Sequence, residues 1–245
     1  MRNAGAILTP SHLTPDAWRI EGASGKLREL AQRGLVYIQD EASQLVAHAL
    51  EAQSDERVLD ACAAPGSKTT HIASLTPDLK LLVAADIHAH RLRVVREACA
   101  LLSLNRVRLA VSDATVPLPF TSGTFERVLV DAPCTGTGTL RRNPEIRWRI
   151  TNSDVTELAA RQQRILRNAA RTVAVGGRLV YSTCSVEPEE NEAVIAAFLR
   201  ETNDFKPVRL RTPAFLQGEQ GTTARTWPQR DGADGFFIAA LERSN

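Results

Sequence analysis

"DACAAPGSKTTHIASL", residues 60–75, reads as an apolar strand turning into a helix across a few small residues. The strand side is "RVLDAC" (57–62), and the helix begins near Ser67. Ala61, Ala63, Ala64 and Gly66 carry little or no side chain, so a ligand can approach the backbone closely. A helix starting at Ser67 aims free N–H groups and its positive dipole end at whatever lies before it. A carboxylate suits that position, with Lys68 nearby. The turn lacks both the G-x-x-x-x-G-K-[ST] of a phosphate-binding loop and the G-x-G-x-x-G of a nicotinamide site.

The alternation continues outward. Strand candidates are "LLVAADI" (81–87), "VRLAVSDA" (107–114), "FERVLVDAPC" (125–134), "GRLVYSTCS" (177–185) and a closing "GFFIAALE" (235–242). Helices are expected near 67–76, 89–102, 153–174 and 187–200, with Gly176-Gly177 stopping the long one. Upstream, Leu35-Val36-Tyr37-Ile38 is strand-like, and Ala42, Leu45, Val46, Ala49 and Leu50 follow helical spacing. Residues 1–34, punctuated by Thr9-Pro10 and Thr14-Pro15, are weakly patterned and read as an appendage or the remnant of an upstream module. Near-continuous apolar strands alternating with helices imply a mostly parallel sheet covered on both faces. The expected fold is α/β, a doubly wound Rossmann-like sheet with its ligand outside the carboxyl ends of the strands.

A chain of 245 residues is long enough for one such domain. Its 43% hydrophobic and 24% charged residues are ordinary for a globular protein. No apolar run reaches the ~18 residues of a membrane span. "MRNAGAILTPSHLTPD" (1–16) lacks a signal-peptide pattern, so a cytoplasmic protein without a membrane partner is expected. Net charge is +2, but Lys26, Lys68, Lys80 and Lys206 are the only lysines, so arginine dominates the basic side. Where arginines cluster, their planar guanidinium groups favour phosphate and base recognition. The cysteines Cys62, Cys99, Cys134 and Cys184 form no C-x-x-C pair and do not sit with histidines at zinc spacing, so no metal is expected. A disulfide framework is not expected in such a chain either.

The strand ends carry the polar residues. Four strands in a row finish at Asp60, Asp86, Asp113 and Asp131, and the fifth at Thr183-Cys184-Ser185. One such aspartate is ordinarily a helix N-cap. Four at one sheet edge repel each other unless a ligand or donors are present. A nucleoside with hydroxyls, an amino group and a cationic tail fits, and S-adenosylmethionine is such a ligand. "DAPCTGTGTLRRNPEIRWR" (131–149) adds a thiol beside a carboxylate, then Arg141, Arg142, Arg147 and Arg149 around Trp148. That cluster suits nucleic acid; the bland alternative is a solvated loop whose arginines pair with Glu145 and others. Cys184 lacks partners for a metal role, which leaves a buried thiol or a nucleophile.

Three separated stretches now resemble one family. "VLDACAAPGSKTTHIA" (58–73), "VLVDAPCTGTGTLRRNPEIRW" (128–148) and "LVYSTCSVEPEENEAVI" (179–195) resemble the signature segments of the RNA cytosine-5 methyltransferases of the Sun family. "GLVYIQDEASQLVAHAL" (34–50) resembles the segment before the cofactor loop, and "PQRDGADGFFIAAL" (228–241) the closing segment of the bacterial branch acting on 16S rRNA. The likeness covers about residues 35–242. It implies an S-adenosylmethionine domain over 35–245. Residues 1–34 would then be what remains of an upstream RNA-binding subdomain, with a separate RNA-binding module as a possible partner. Carried over, cofactor contacts fall on Cys62, Ala63, Ala64, Pro65, Gly66, Ser67, Lys68, Asp86, Arg91, Asp113 and Asp131. RNA contacts are assigned to Arg141, Arg142, Arg147, Trp148 and Arg149. The cofactor loop has Gly66-Ser67 where the family usually has two glycines.

The resemblance makes Cys184 the nucleophile and Cys134 a second, assisting thiol; attack is easier if N3 of the base accepts a proton or strong hydrogen bond, for which Asp131, when protonated or sharing a proton, is the candidate. Only a thiolate adds well to carbon 6 of cytosine, so Cys184 needs activation; a helix beginning near Glu187 could help, though Glu187, Glu189 and Glu190 oppose it. The target RNA is expected to be 16S rRNA, with tRNA as the alternative, or the chain is a non-catalytic cofactor-binding factor of ribosome assembly. A DNA cytosine-5 methyltransferase would use the Pro-Cys cysteine as nucleophile, but the Glu-Asn-Val segment expected there is missing.

Overall fold

The structure is a computed structural model that describes residues 1–244. The chain begins with the hairpin β1 (Ile7–Pro10) and β2 (Trp18–Glu21), then α1 (Ser24–Gln32) and α2 (Glu41–Leu50). The central sheet starts with β3 (Arg57–Asp60), followed by α3 (Ser67–Leu75), β4 (Leu81–Asp86), α4 (Ala89–Leu101), β5 (Val107–Val111) and β6 (Phe125–Asp131). Next come the single turn α5 (Ile146–Arg149), the long α6 (Asn152–Ala170), β7 (Val173–Thr183) and α7 (Glu192–Glu201). The chain ends with β8 (Phe205–Pro207), β9 (Thr223–Arg225), the short α8 (Pro228–Asp231) and β10 (Phe237–Arg243).

The strands lie in the order β5-β4-β3-β6-β7-β10-β8, with β9 on β10. β3 to β7 run parallel; β10 enters antiparallel to β7. The chain winds outward from β3 to β5 and then returns to β6 beside β3. This reversal opens a crevice at the carboxyl ends, the expected ligand position in such folds.

Both faces of the sheet are buried, as the apolar runs require. Leu59, Val128, Val130, Leu179 and Tyr181 pack with Ile165 and Leu166 of α6 and Phe198 of α7. Their strand neighbours Val58, Leu129 and Val180 pack on the other face with Leu45 and Val46 of α2 and Ile72 of α3. This is the period-two alternation of strands. α6 starts at a capping box in which Thr151 and Asp154 satisfy each other's backbone N–H groups. The N-terminal residues join the same core: Leu13 is buried with the α2 cluster, and Arg19 pairs with Glu41 at 2.6 Å.

Three expectations change. Leu35–Ile38 forms no strand; Leu35 and Ile38 are each 60% exposed. β-branched and aromatic residues suit a pleated surface only where a partner strand exists. Gly176-Gly177 does not end α6, which stops at Ala170. The glycines lie within β7, at the irregularity between the pairs Phe125↔Val173 and Arg127↔Arg178. Gly176 has φ +74, and a Cβ on Gly177 would lie 2.7 Å from the Ala174 carbonyl oxygen, so a bulge rather than a helix stop needs them. Finally, the helix expected over 187–200 is split: Pro188–Glu190 is a 3-10 turn, and α7 proper starts at Glu192.

Candidate active site

A cleft of about 280 Å3 opens at the carboxyl ends of β3 to β7, lined by Cys62, Ala64, Asp86, Arg91, Asp113, Asp131, Cys134 and Cys184, among others. Its floor is the loop between β3 and α3. Gly66 has φ +109, and a Cβ there would sit 3.2 Å from Val95 Cα of α4, so a glycine is needed for the close helix packing. Ser67 follows as the first residue of α3.

The four aspartates are not equivalent. Asp60 is fully buried behind the cleft; its Oδ2 accepts from Thr69 Oγ1 at 2.6 Å and its Oδ1 has no hydrogen-bond partner. Burial pushes its pKa up to about 7, against the Thr69 hydrogen bond. Asp86 lines the cleft and accepts from the backbone N–H groups of Ala64 (3.2 Å) and His88 (2.9 Å). Arg91 reaches over it to donate to the Ala64 carbonyl at 2.9 Å. Asp113 lies two residues beyond the end of β5. Its Oδ1 takes both the hydroxyl and the N–H of Thr115, which hold it below the usual carboxylate range.

Asp131 carries the chemistry closest to the thiols. Lys68 Nζ lies 2.7 Å from its Oδ2, and Ser182 Oγ donates to its Oδ1 at 2.8 Å. The register Asp131↔Ser182 between β6 and β7 makes that second contact unavoidable. Burial works against the Lys68 ammonium, but the Asp131 charge and hydrogen bond more than offset it and raise its pKa. Lys68 was placed by sequence at the cofactor loop; it also bridges toward the next strand end.

Cys134 Sγ and Cys184 Sγ are 3.4 Å apart. The hydrogen bond between the two sulfurs draws Cys184 below the usual thiol range, with burial and Asp131 opposing and Lys68 assisting. The same bond, then burial and the charges of Cys184 and Glu190, push Cys134 well up. Within this one hydrogen-bonded pair, then, the Cys184 thiol moves down and the Cys134 thiol up. Cys62 lines the same cleft, but burial and the charges of Asp60, Asp131 and Asp86 push its thiol up, away from reactivity.

The arginines divide. Arg141 and Arg142 both pair with the buried Asp234, and Arg141 also with Asp40, rather than with Glu145. On α5, Trp148 is 83% exposed, with the Arg147 guanidinium 5.5 Å from its ring centroid and Arg149 exposed beside it. Several side chains were not anticipated. Arg161 of α6 lines the cleft, and Gln162 and Glu190 are fully buried near Cys134. Gln162 had a visible signal: it interrupts the apolar stripe Ala159, Ile165, Leu166 and Ala169. Glu190 had none, because its acidic neighbours hide it.

The chain matches the family model for the 16S rRNA methyltransferase RsmB/F over residues 47–242. A probable ribosomal RNA small subunit methyltransferase B from Bacillus subtilis is 41% identical over 217 residues, covering 86% of this chain and 48% of the relative. The solved structure of PH0851 superposes with a TM-score of 0.92 at 35% identity, covering 99% of this chain and 55% of that one. NSun6 from Pyrococcus horikoshii, solved with SFG, gives a TM-score of 0.78 at 29% identity, covering 89% of this chain and 55% of that one. The chain thus spans about half the length of the curated relatives it matches. Among the described residues no helix is long and apolar enough to cross a membrane. On its motifs, its sheet order and these matches, the chain belongs to the RsmB/F family of 16S rRNA methyltransferases.

Proposed function

We propose that this protein transfers a methyl group from S-adenosylmethionine to carbon 5 of a cytosine in 16S rRNA, through a covalent bond between Cys184 and carbon 6. The single observation that carries the reading is a pair of thiols 3.4 Å apart beside the Lys68–Asp131 ion pair. The cleft suits the cofactor. Asp86 and Asp113 offer carboxylate oxygens for hydroxyl and amino donors, and the small residues Ala61 and Ala64 line the cleft without filling it. Bound there, S-adenosylmethionine supplies an electrophilic methyl carbon.

The residues do the remaining work. Cys184, as the thiolate, adds to carbon 6 and pushes electron density toward carbon 5 and N3. Asp131 and Lys68 together hold a proton at 2.7 Å separation and present it to N3. Once carbon 5 is methylated, its proton leaves to water and N3 returns its proton to the Asp131–Lys68 pair. The carbon 6–sulfur electron pair goes back to Cys184, and Cys134 donates its S–H hydrogen bond to the departing sulfur. The base must be unstacked to reach the pocket. Trp148, Arg147 and Arg149 offer a stacking and phosphate surface, with Arg141 and Arg142 bracing the loop behind it through Asp234. In this reading residues 35–245 are the catalytic part, residues 1–34 belong to the RNA-binding part, and the enzyme works in the cytoplasm.

The test is calorimetry with S-adenosylmethionine followed by radiolabelled methyl transfer to unmodified 16S rRNA and to tRNA. Cys184→Ala is expected to bind cofactor and transfer nothing. Cys134→Ala is expected to leave an RNA adduct that survives a denaturing gel. Methylation of tRNA alone would move the substrate, cofactor binding without transfer would point to an assembly factor, and normal turnover by Cys134→Ala without adduct would sink the two-thiol reading.

A further inference from the structure

The two thiols are held by one dipeptide, Glu190-Asn191, both of whose side chains are fully buried. Glu190 grips the residues on either side of Cys134. Its carboxylate accepts from the Thr135 N–H at 3.0 Å and from the Thr135 hydroxyl. It also accepts from Gln162 Nε2 at 2.8 Å, and that same nitrogen donates to the Pro133 carbonyl at 2.9 Å. Asn191 grips the residues on either side of Cys184. Its Oδ1 accepts from Thr183 Oγ1, and its Nδ2 donates to the Ser185 carbonyl at 2.9 Å. Tyr181 OH fixes the dipeptide itself by donating to the Glu190 carbonyl at 2.6 Å.

The charges on the two sides differ. Among the described residues, the hydrogen-bond partners of the Glu190 carboxylate are the neutral groups of Thr135 and Gln162, so its field acts on the adjoining Cys134 with no cation among those partners. Cys184 instead lies beside the Lys68–Asp131 ion pair, whose two charges oppose each other there, Asp131 the more strongly. In a dry site such charges act with little screening.

We infer that Glu190 and Asn191 are positioning residues that set the spacing of the two thiols, and that the Glu190 carboxylate keeps the shared proton on Cys134 so that Cys184 is the thiolate. The inference rests on the two-thiol reading above and deepens it. Glu190→Gln isolates the charge. A Gln amide can accept from the Thr135 N–H and Gln162 through its oxygen and donate to the Thr135 hydroxyl through its nitrogen. The spacing is thereby kept while the field is removed.

The readout is alkylation by iodoacetamide, with each thiol mapped by peptide mass and no RNA present. The wild type is expected to lose Cys184 first. In Glu190→Gln the ratio of Cys184 to Cys134 rates is expected to fall by about tenfold or more, the effect of one unit of thiol pKa on the thiolate fraction. Cofactor affinity by calorimetry is expected to be unchanged, because the cleft is lined by other side chains. A general loss of packing would weaken cofactor binding and expose both thiols equally. Glu190→Met, which also removes the charge, serves where Glu190→Gln fails to accumulate, and is expected to lower the ratio in the same direction. A wild-type protein without preference for Cys184 defeats the two-thiol reading itself. A wild-type preference that persists in the variants overturns the role of Glu190.

Discussion

Asp60→Asn should change how stability depends on pH. Asp60 is fully buried, and burial pushes its pKa from 3.8 up to about 7. In the unfolded chain it titrates near the ordinary value, so over that interval the folded state holds the extra proton. Stability therefore falls as pH rises from about 4 through about 7, at up to ~1.4 kcal/mol per pH unit. Between pH 5 and pH 9 about two units of this slope remain, which amounts to ~3 kcal/mol. For a chain of this size that is a shift of roughly 6–12 °C in Tm.

The absolute stability of Asp60→Asn is a poor guide. An amide oxygen can keep the 2.6 Å bond from Thr69, but the amide nitrogen then replaces Oδ1, which has no hydrogen-bond partner. A buried unmatched donor costs about 1–3 kcal/mol at every pH. The informative quantity is the difference between wild type and variant as a function of pH, from urea melts at pH 5, 6, 7, 8 and 9. His48 and His71 titrate with the opposite sign, since burial lowers both. Their contribution is present above about pH 6.5 and lost as pH falls, and it cancels in the difference. The difference should shrink by ~3 kcal/mol toward pH 9, or reverse in favour of the variant. Parallel curves would show that Asp60 is ionised throughout and that the buried charge is tolerated.

Two further outcomes follow from the surface and from the loops. Trp148→Ala should weaken RNA binding by about 1–3 kcal/mol in a filter-binding titration, with Tm unchanged, because the side chain is 83% exposed; equal affinity would remove α5 from the RNA surface. Gly138→Ala should lower Tm by several degrees and slow methyl transfer, because a Cβ there would lie 2.0 Å from the Gly235 carbonyl oxygen. Gly138 also donates its N–H to the Cys184 carbonyl at 3.0 Å, so the forced shift is passed to the loop that carries Cys184; wild-type Tm and rate would show that the loop can yield.

The sheet was legible because its central parallel strands β3, β4, β6 and β7 are apolar runs buried on both faces, and because Asp60, Asp86 and Asp131 end theirs. What failed was local. Leu35–Ile38 has the composition of a strand but no neighbour to pair with, and composition alone carries no information about neighbours. Gly176-Gly177 has the look of a helix stop, yet the chain had already turned at Ala170. The site was legible as a set of residues but not as a set of contacts. Lys68 sits at the start of α3, and nothing in its local sequence names Asp131, 63 positions later, as its partner. That pairing follows from β3 and β6 being neighbours. Likewise "EPEEN" reads as an acidic helix start, whereas Glu190 turns inward because the short turn before α7 points it at Thr135.

The asymmetry of the two cysteines has the same origin. They are chemically identical and lie two and three residues beyond the paired positions Ser182 and Asp131, on adjacent parallel strands. Symmetric surroundings would leave the proton shared and neither sulfur a good nucleophile. An unpaired carboxylate behind Cys134 and a carboxylate paired with an ammonium beside Cys184 make the surroundings unequal, and each unit of separation in acidity corresponds to ~1.4 kcal/mol of bias in proton position. Neither the cation nor the anion lies in the Pro-Cys or Thr-Cys motif: Lys68 comes from the first turn of α3, and Glu190 from the turn before α7. On the proposed two-thiol reading, the choice of attacking thiol depends on Glu190, six positions after Cys184, and removing its charge alone should alter that choice without touching either sulfur.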